Sequence, residues 1–382
     1  MNRTARPLRP ALVRRRLLAL GTFGLCVFGC VPVDTAASAE ALRTPLLFVR
    51  VASPALSGRG RPDTPNTPNQ SNSLRGLAAR DCDRAFVGGA LGVFRTDDGG
   101  RHWQDVTPPG PAGRDFRDLA VLDGDTVLAM VAGEPAELWR STDDGASWTL
   151  VLADRRPGAF FDAIDTNGPF GALLADPLDG AFGLWTTRDA GATWSKVPDE
   201  HLPAPLPGEA AFAASGGCVL VEKAPGSGAA AVTVRAVTGG AERARLLHGP
   251  IDGPFVASDL PLRAGAPSRG AFALTCVGQA GLCVVGGDYA AVLRSDATVA
   301  WSGDGSRWHD VPAGAGGYRS AVAAAGPMLI AVGSHGGSRS WDGGRSWQLL
   351  EDAAFHSVVR AADGTLWACG SEGRVARAQR VD

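Results

Sequence analysis

Five short segments of the chain repeat one another. Residues 95–106 read RTDDGGRHWQDV, 140–151 RSTDDGASWTLV, 186–197 TTRDAGATWSKV, 301–311 WSGDGSRWHDV and 339–350 RSWDGGRSWQLL. Four of them keep one spacing of a hydroxyl residue, an aspartate, a glycine and a tryptophan. These are Thr96, Asp98, Gly100 and Trp103; Ser141, Asp143, Gly145 and Trp148; Thr187, Asp189, Gly191 and Trp194; and Ser340, Asp342, Gly344 and Trp347. In the fifth, Asp304 reads as displaced by one place before Gly305 and Trp308. Apolar residues on either side, such as Leu138-Trp139 and Trp148 to Val151, read as two strands, so the chain must reverse between them. The aspartate can accept hydrogen bonds from the N–H groups of its own turn, and glycine takes a backbone conformation that other residues resist. The tryptophan leads the outgoing strand and is expected to lay its apolar face over the hairpin. The repeat is a structural staple, and no catalytic role is assigned to it.

The tryptophans Trp103, Trp148, Trp194, Trp308 and Trp347 are spaced by 45, 46, 114 and 39 residues. One hairpin per forty to fifty residues is the period of a β-propeller with four strands per blade. The long gap then hides a blade whose hairpin has lost the pattern. Dividing the chain on this period gives units at 73–106, 116–151, 160–197, 208–247, 270–311, 316–350 and 355–380. Each opens on a short apolar strand: LRGLAA, FRDLAVL, FFDAID, GEAAFAAS, GAFALTCV, YRSAVAAA and FHSVVRA. The seventh unit stops at its third strand, RVARAQRV, and PLLFVRVA at 45–52 is expected to supply the fourth. Pairing the two ends of the chain in one blade closes the ring and removes open sheet edges. The expectation is therefore an all-β, seven-bladed propeller. The runner-up has six blades with the fourth region as an insertion.

The front of the chain reads differently. Arg14, Arg15 and Arg16 precede an apolar run from Leu17 to Val33, and Ala37-Ser38-Ala39 is a small-x-small cleavage pattern. Residues 1–39 thus read as a secretory signal peptide, which places the mature protein in the periplasm or outside the cell. Val27-Phe28-Gly29-Cys30 resembles a bacterial lipoprotein box, the alternative being a lipid anchor at Cys30 on the outer envelope. Residues 40–72 hold the closing strand and a proline-rich connector, and 73–382 the propeller. No transmembrane span is expected after processing. With 37 basic against 39 acidic residues, charge gives no case for nucleic acid. Five cysteines follow the cleavage site: Cys82, Cys218, Cys276, Cys283 and Cys369. Cys276 and Cys283 flank VGQAGL, so a cross-strand disulfide is within reach in an oxidising compartment. No CxxC pair or Cys/His cluster suggests a metal, and no cofactor is expected.

In a propeller, the loops that enter the innermost strands share one face with the loops joining second and third strands. The entering segments carry pairs in which an apolar or small residue precedes an ionisable one: Leu74-Arg75, Phe116-Arg117, Phe161-Asp162, Gly208-Glu209, Ser268-Arg269, Tyr318-Arg319 and Phe355-His356. Seven-fold geometry would gather these groups at the mouth of the central channel, where Asp176, Asp288, Tyr289 and His335 join them from the other loops. Converging arginines suit an anionic or glycan ligand or a protein partner, since guanidinium binds carboxylate and phosphate bidentately. The opposing reading is that the charges pair with one another and plug the channel. For a hydrolase the candidate groups are Asp162, Glu209, Asp176 and Tyr318.

The repeated hairpin is the Asp-box, or bacterial neuraminidase repeat, and the chain resembles the sialidase superfamily of propellers. That resemblance implies an arginine triad, a tyrosine–glutamate nucleophilic pair and an acid/base aspartate. The Arg-Ile-Pro motif of those enzymes is absent. A wider resemblance rests on SLRGLAA, DFRDLAVL, FFDAID, LADPLDG, PGEAAFAASGGC, VVGGDYA, GGYRSAV and FHSVVRAADGTLWACGSEGRVAR. These look like exported bacterial propellers related to the photosystem II stability and assembly factor family. It implies, from the plant and cyanobacterial members, a scaffold that binds assembling membrane-protein subunits through an arginine-rich face.

Overall fold

The computed structural model describes residues 46–54, 73–110, 112–223 and 232–380. The signal-peptide and Cys30 readings lie outside these residues, as does most of the connector. The described chain forms seven four-stranded antiparallel sheets and no α-helix. Blade 1 holds β2–β5 (Leu74–Ala79, Ala85–Gly89, Gly92–Thr96, Gln104–Asp105) and blade 2 β6–β9 (Phe116–Val121, Val127–Val131, Ala136–Ser141, Thr149–Asp154). Blade 3 is β10–β13 (Phe161–Asn167, Phe170–Leu178, Ala181–Thr187, Ser195–Lys196) and blade 4 β14–β17 (Val219–Lys223, Val232–Thr238, Ala244–Pro250, Val256–Leu260). Blade 5 is β18–β21 (Arg269–Val277, Gly281–Asp288, Val299–Ser302, His309–Asp310) and blade 6 β22–β25 (Ala321–Ala325, Met328–Gly333, Gly336–Ser340, Gln348–Leu350). Blade 7 combines β26–β28 (Ser357–Arg360, Leu366–Cys369, Val375–Arg380) with β1 (Leu46–Arg50).

The closing strand is where the sequence placed it. β1 runs antiparallel to β28, with Phe48 opposite Ala378 and Arg50 opposite Ala376. Phe48 lies on Phe355 with ring centroids 5.3 Å apart. The first Asp-box clasps the chain just beyond it: Trp103 Nε1 donates to the Ala52 carbonyl at 2.7 Å. Innermost strands of successive blades pack side by side, and β26 meets β2, so the ring closes.

The cores lie between blades. Second strands such as VLAMV (β7) are buried along their whole length, because a blade has a neighbour on each face. A strand covered on both faces reads as a continuous apolar run without alternation. Between blades 2 and 3, Leu128, Met130, Leu138, Phe161 and Leu173 are completely buried.

The Asp-boxes form as the sequence implies, with one change of role. In blade 2, Ser141 Oγ meets Asp143 Oδ1 at 2.8 Å and accepts from Gly145 N–H at 2.8 Å, while Asp143 accepts from Ser147 N–H at 2.8 Å. Gly145 has φ of 86°, the left-handed region that excludes most side chains. The tryptophan does not simply cover its own hairpin. Trp148 Nε1 donates to Val106 of blade 1 at 2.7 Å, and its ring packs into the cluster between blades 1 and 2. Trp194 likewise packs between blades 2 and 3, and Trp347 between 5 and 6. The box is a clamp between consecutive blades.

In blade 5 the aspartate has not moved. Ser302 Oγ meets Asp304 Oδ1 at 3.0 Å, as in the other boxes. Instead the turn is one residue shorter, so Gly305 and Trp308 arrive early. The Trp308 indole N–H is buried there without a partner.

The fourth unit differs most from expectation. Its innermost strand is β14, not GEAAFAAS, and the blade extends to Leu260 instead of ending at 247. Residues 210–217 hold only an isolated bridge, Ala210 to Gly239. Their apolar character comes from burial on all sides, which sequence periodicity does not separate from burial in a strand. The fourth box is replaced by a turn at 251–255 in which Ile251 and Phe255 are buried.

Cys276 and Cys283 are not joined by a disulfide. Cys283 is opposite Thr275, and Cys276 opposite Leu282. Cross-strand partners share a sheet face, and adjacent residues do not, so the two thiols point to opposite faces. Cys283 turns toward Gly344 of blade 6, while the Cys276 thiol donates to Glu222 of blade 4 at 2.9 Å.

Candidate functional site

A backbone irregularity sets the lining of the channel mouth. The first strand pairing shifts register between Leu74 and Gly76 in blade 1, Phe116 and Asp118 in blade 2, Phe161 and Ala163 in blade 3, and Ala271 and Ala273 in blade 5. A β-bulge adds one unpaired residue and re-aims its side chain. The bulged residues are Arg75, Arg117, Asp162 and Phe272. Three of these were expected from the sequence. In blade 7 His356 holds the matching place, since Phe355 N–H donates to Gly333 of blade 6 as Phe161 N–H does to Ala132 of blade 2.

Elsewhere the register differs. In blade 6 it is Arg319 whose N–H bonds the previous blade, at Gly286, so Ser320 holds the channel position. Arg319 is buried between blades, giving hydrogen bonds to the Tyr318 carbonyl at 2.9 Å and Ser338 Oγ at 2.7 Å. Burial without a carboxylate lowers its pKa to about 10. In blade 5 Arg269 is engaged by Asp288 at 2.8 Å, directly across the ladder. Glu209 is buried in an ion pair with Arg245 and accepts from Thr238 Oγ1 at 2.6 Å. It does not face the channel. His335 is exposed and meets Ser334 Oγ at 2.9 Å.

The channel is occupied. Residues 210–217, which sequence periodicity assigns to an inner strand, cross its centre. Ala211 N–H donates to Asp176 Oδ1 of blade 3 at 2.9 Å, and Arg75 Nη1 of blade 1 donates to the Ala214 carbonyl at 3.3 Å. Ser215 Oγ donates to the Ser320 carbonyl of blade 6 at 2.6 Å, and Ser357 Oγ of blade 7 donates to the Ser215 carbonyl at 3.2 Å. Phe212 stacks on Phe272 of blade 5 at 3.9 Å with planes 8° apart. Tyr318 meets Phe272 edge-on at 4.8 Å, and Tyr289, half exposed, stands edge-on to both phenylalanines.

Beneath this segment lies a group of buried carboxyls. Asp162 is fully buried, and neither oxygen meets a hydrogen-bond donor in normal geometry. Burial first, then the adjacent Asp176, raises its pKa well above the usual carboxylate range. Burial raises Asp176 to about 6, opposed by the Ala211 N–H. Asp118 goes to about 8 through burial, although it accepts from Ile164 and Leu119 N–H at 2.7 and 2.8 Å. Burial also drives His356 down to about 4, helped by Arg75. The Tyr318 hydroxyl is pushed up by burial. Sequence reasoning missed Asp118, Ser215, Ser320 and Ser357; only a correct placement of 210–217 would have pointed to them. No group of His, Cys, Asp and Glu suited to a metal occurs among the described residues.

These features define a closed Asp-box β-propeller with an internally plugged channel. Comparison with known proteins gives the narrower relationship. A family model described as photosynthesis system II assembly factor YCF48 matches residues 71–236. The photosystem II assembly lipoprotein Ycf48 of Synechococcus sp. (strain CC9902) is 33% identical over 127 residues, covering 33% of this chain and 36% of that protein. A xyloglucanase of Paenibacillus sp. is 27% identical over 144 residues, 29% of this chain and 14% of the enzyme. The chain therefore spans about a third or less of these curated relatives. The solved structure of YCF48 bound to D1 peptide superposes with a TM-score of 0.58 at 15% identity, covering 88% of this chain and 97% of that one. The chain is a bacterial-neuraminidase-repeat propeller that resembles the photosystem II assembly factors.

Proposed function

We propose that the protein is an exported, non-enzymatic binding propeller of the assembly-factor type. It engages a protein partner at the rim of the channel mouth, through Arg117, Arg269 and Tyr289, with an anionic side chain or terminus of the partner as the recognised group. The observation that carries this reading is the placement of Arg117 by a bulge at the mouth, partly exposed, with its guanidinium over the Phe160 ring at 5.6 Å. Its present partner, Asp115 at 2.7 Å, is itself partly exposed and exchangeable for an incoming carboxylate. The resemblance to proteins described as assembly factors, one of them bound to a peptide, supports the same reading. Asp288 pairs with Arg269 and orients it; Tyr289 offers an aromatic face beside it.

The glycosidase alternative has no comparable support. Asp162 and Asp176 lie within hydrogen-bonding reach of each other, beneath residues 210–217, whereas paired glycosidase carboxyls stand about 5–10 Å apart around an open bond. Glu209 is committed to Arg245.

No helix among the described residues is long and apolar enough to cross a membrane. Export to the periplasm, or anchoring through Cys30, is part of the proposal and follows from the signal-like first 39 residues. The test is capture of partners from a detergent-solubilised envelope fraction by the tagged protein, with Arg117→Ala and Tyr289→Ala compared against wild type. Loss of a specific partner in these variants is expected. A partner set unchanged by both would refute the rim as the contact, and turnover of a glycoside would refute the non-enzymatic reading.

A further inference from the structure

Residues 210–217 are recognised by the channel as a peptide would be. The contacts come from five other blades, and blade 2 adds a close approach. They are directional: a guanidinium on a carbonyl, a carboxylate on an N–H, serine hydroxyls on carbonyls, and an aromatic stack. Gly216 passes so close to Asp118 that a Cβ there would overlap the carboxylate. Two of the contacting groups, Arg75 and Phe272, are aimed inward by bulges in their own blades.

Three further features distinguish the segment from fixed core. Blade 4 begins its ladder at Val219, so the segment contributes no strand pairing and only the single bridge at Ala210. Gly208 just before the segment and Gly216 near its end each have φ of 77°, positions where the chain can pivot without a side-chain penalty. The fit is incomplete, because neither oxygen of the buried Asp162 reaches normal hydrogen-bond geometry with the neighbouring Ala213 amide or Asp176. A filler selected only for packing would leave no such group unsatisfied.

We propose that the axial channel is a binding site for a compact, turn-forming small-residue peptide with one aromatic side chain, and that residues 210–217 occupy it in cis as a displaceable plug. Phe212 fills the aromatic subsite on Phe272, and Arg75 and Asp176 read the peptide backbone. This site adjoins the rim contact proposed above through Tyr289, and it stands whatever partner binds there.

The test uses the full-length protein and a fluorescein-labelled synthetic peptide of residues 210–217, AAFAASGG. In one variant Phe212, Ala213, Ala214 and Ser215 are all replaced by glycine, which keeps the chain length while removing the plug's side chains. Fluorescence anisotropy should show the peptide binding this variant at least 10-fold more tightly than wild type. Adding Arg75→Ala should weaken that binding at least 10-fold. A folded glycine variant that binds the peptide no better than wild type overturns the proposal. Native-state hydrogen exchange on the wild type gives a second readout should the glycine variant fail to fold. The amides of Ala213 and Gly216 should exchange at least 100-fold faster than those of Leu119 and Ile164 beside them. Equal protection would mean the segment leaves only on global unfolding, and the plug would be permanent core.

Discussion

Truncating Trp148 tests the role of the Asp-box as a clamp between blades. Its ring is partly buried in the cluster between blades 1 and 2, and its Nε1 donates to the Val106 carbonyl at 2.7 Å. A fully buried aromatic removes about 150–250 Å² from water; for this partly exposed ring about 100 Å² is appropriate. At about 25 cal/mol per Å² this is worth about 2.5 kcal/mol. The lost hydrogen bond adds about 1 kcal/mol, and little cavity cost follows because the site opens to solvent. Trp148→Ala should therefore destabilise by about 3.5 kcal/mol, and a ring of this size should melt about 5 °C lower. Trp148→Phe keeps most of the apolar area and should lose only about 2 °C. Differential scanning calorimetry reads both shifts, and hydrogen exchange should show the extra opening at the β5 end of blade 1 as well as in the box itself. A Trp148→Ala protein melting within a degree of wild type would refute the clamp. Exchange confined to the hairpin of residues 141–148 would return the tryptophan to a purely local role.

Glu209→Ala should cost about 3–5 kcal/mol, because it strands the buried Arg245 guanidinium; Glu209→Gln should cost less, and a thermal melt distinguishes them. Stability should fall as pH rises from about 6.5 to about 8 and level off above that. The folded pKa of Asp118 is raised to about 8, so its contribution is complete below the unfolded carboxylate pKa and is lost as pH climbs through the folded value. This window lies above the range in which His356 titrates, and Asp118→Asn should reduce the slope, the buried Asp162 contributing in the same direction; a melting temperature that rises across the window would contradict the burial of these carboxyls. Alkylation of the protein unfolded without reductant should label Cys276 and Cys283 as free thiols, and a peptide pair linked between them would contradict the opposite-face geometry. Removing residues 46–50 should expose the β28 edge, lower the melting temperature and promote association through that edge; an unchanged monomer by light scattering would count against closure by β1.

The box shows why so much of the fold was legible. Thr96, Asp98, Gly100 and Trp103 interact within eight consecutive residues, so the motif and its repeats are local properties of the chain. The same holds for the period and for the apolar runs of β7 and β19, from which seven blades and the need for a closing strand follow. Arg75, Arg117, Asp162 and His356 take channel-facing positions that share one local pattern. In each of their blades an apolar residue packs between blades immediately before the channel position.

The identity of the remaining channel groups was decided by the assembled ring. Successive residues of a strand face opposite ways, so a shift of one position moves a side chain from the channel to the blade interface. That is why Ser320 lines the channel while Arg319 is buried away from it. Residues 210–217 have the composition of an inner strand because they too are surrounded by apolar neighbours, yet those neighbours belong to the other blades and exist only once the ring has closed. The sequence by itself determined a seven-fold repeat, its turns and its closure, since these rest on contacts between near neighbours in the chain. Only the tertiary structure decided that the axis is filled, and with which residues, since that depends on groups brought together from as far apart as Arg75 and Ser357.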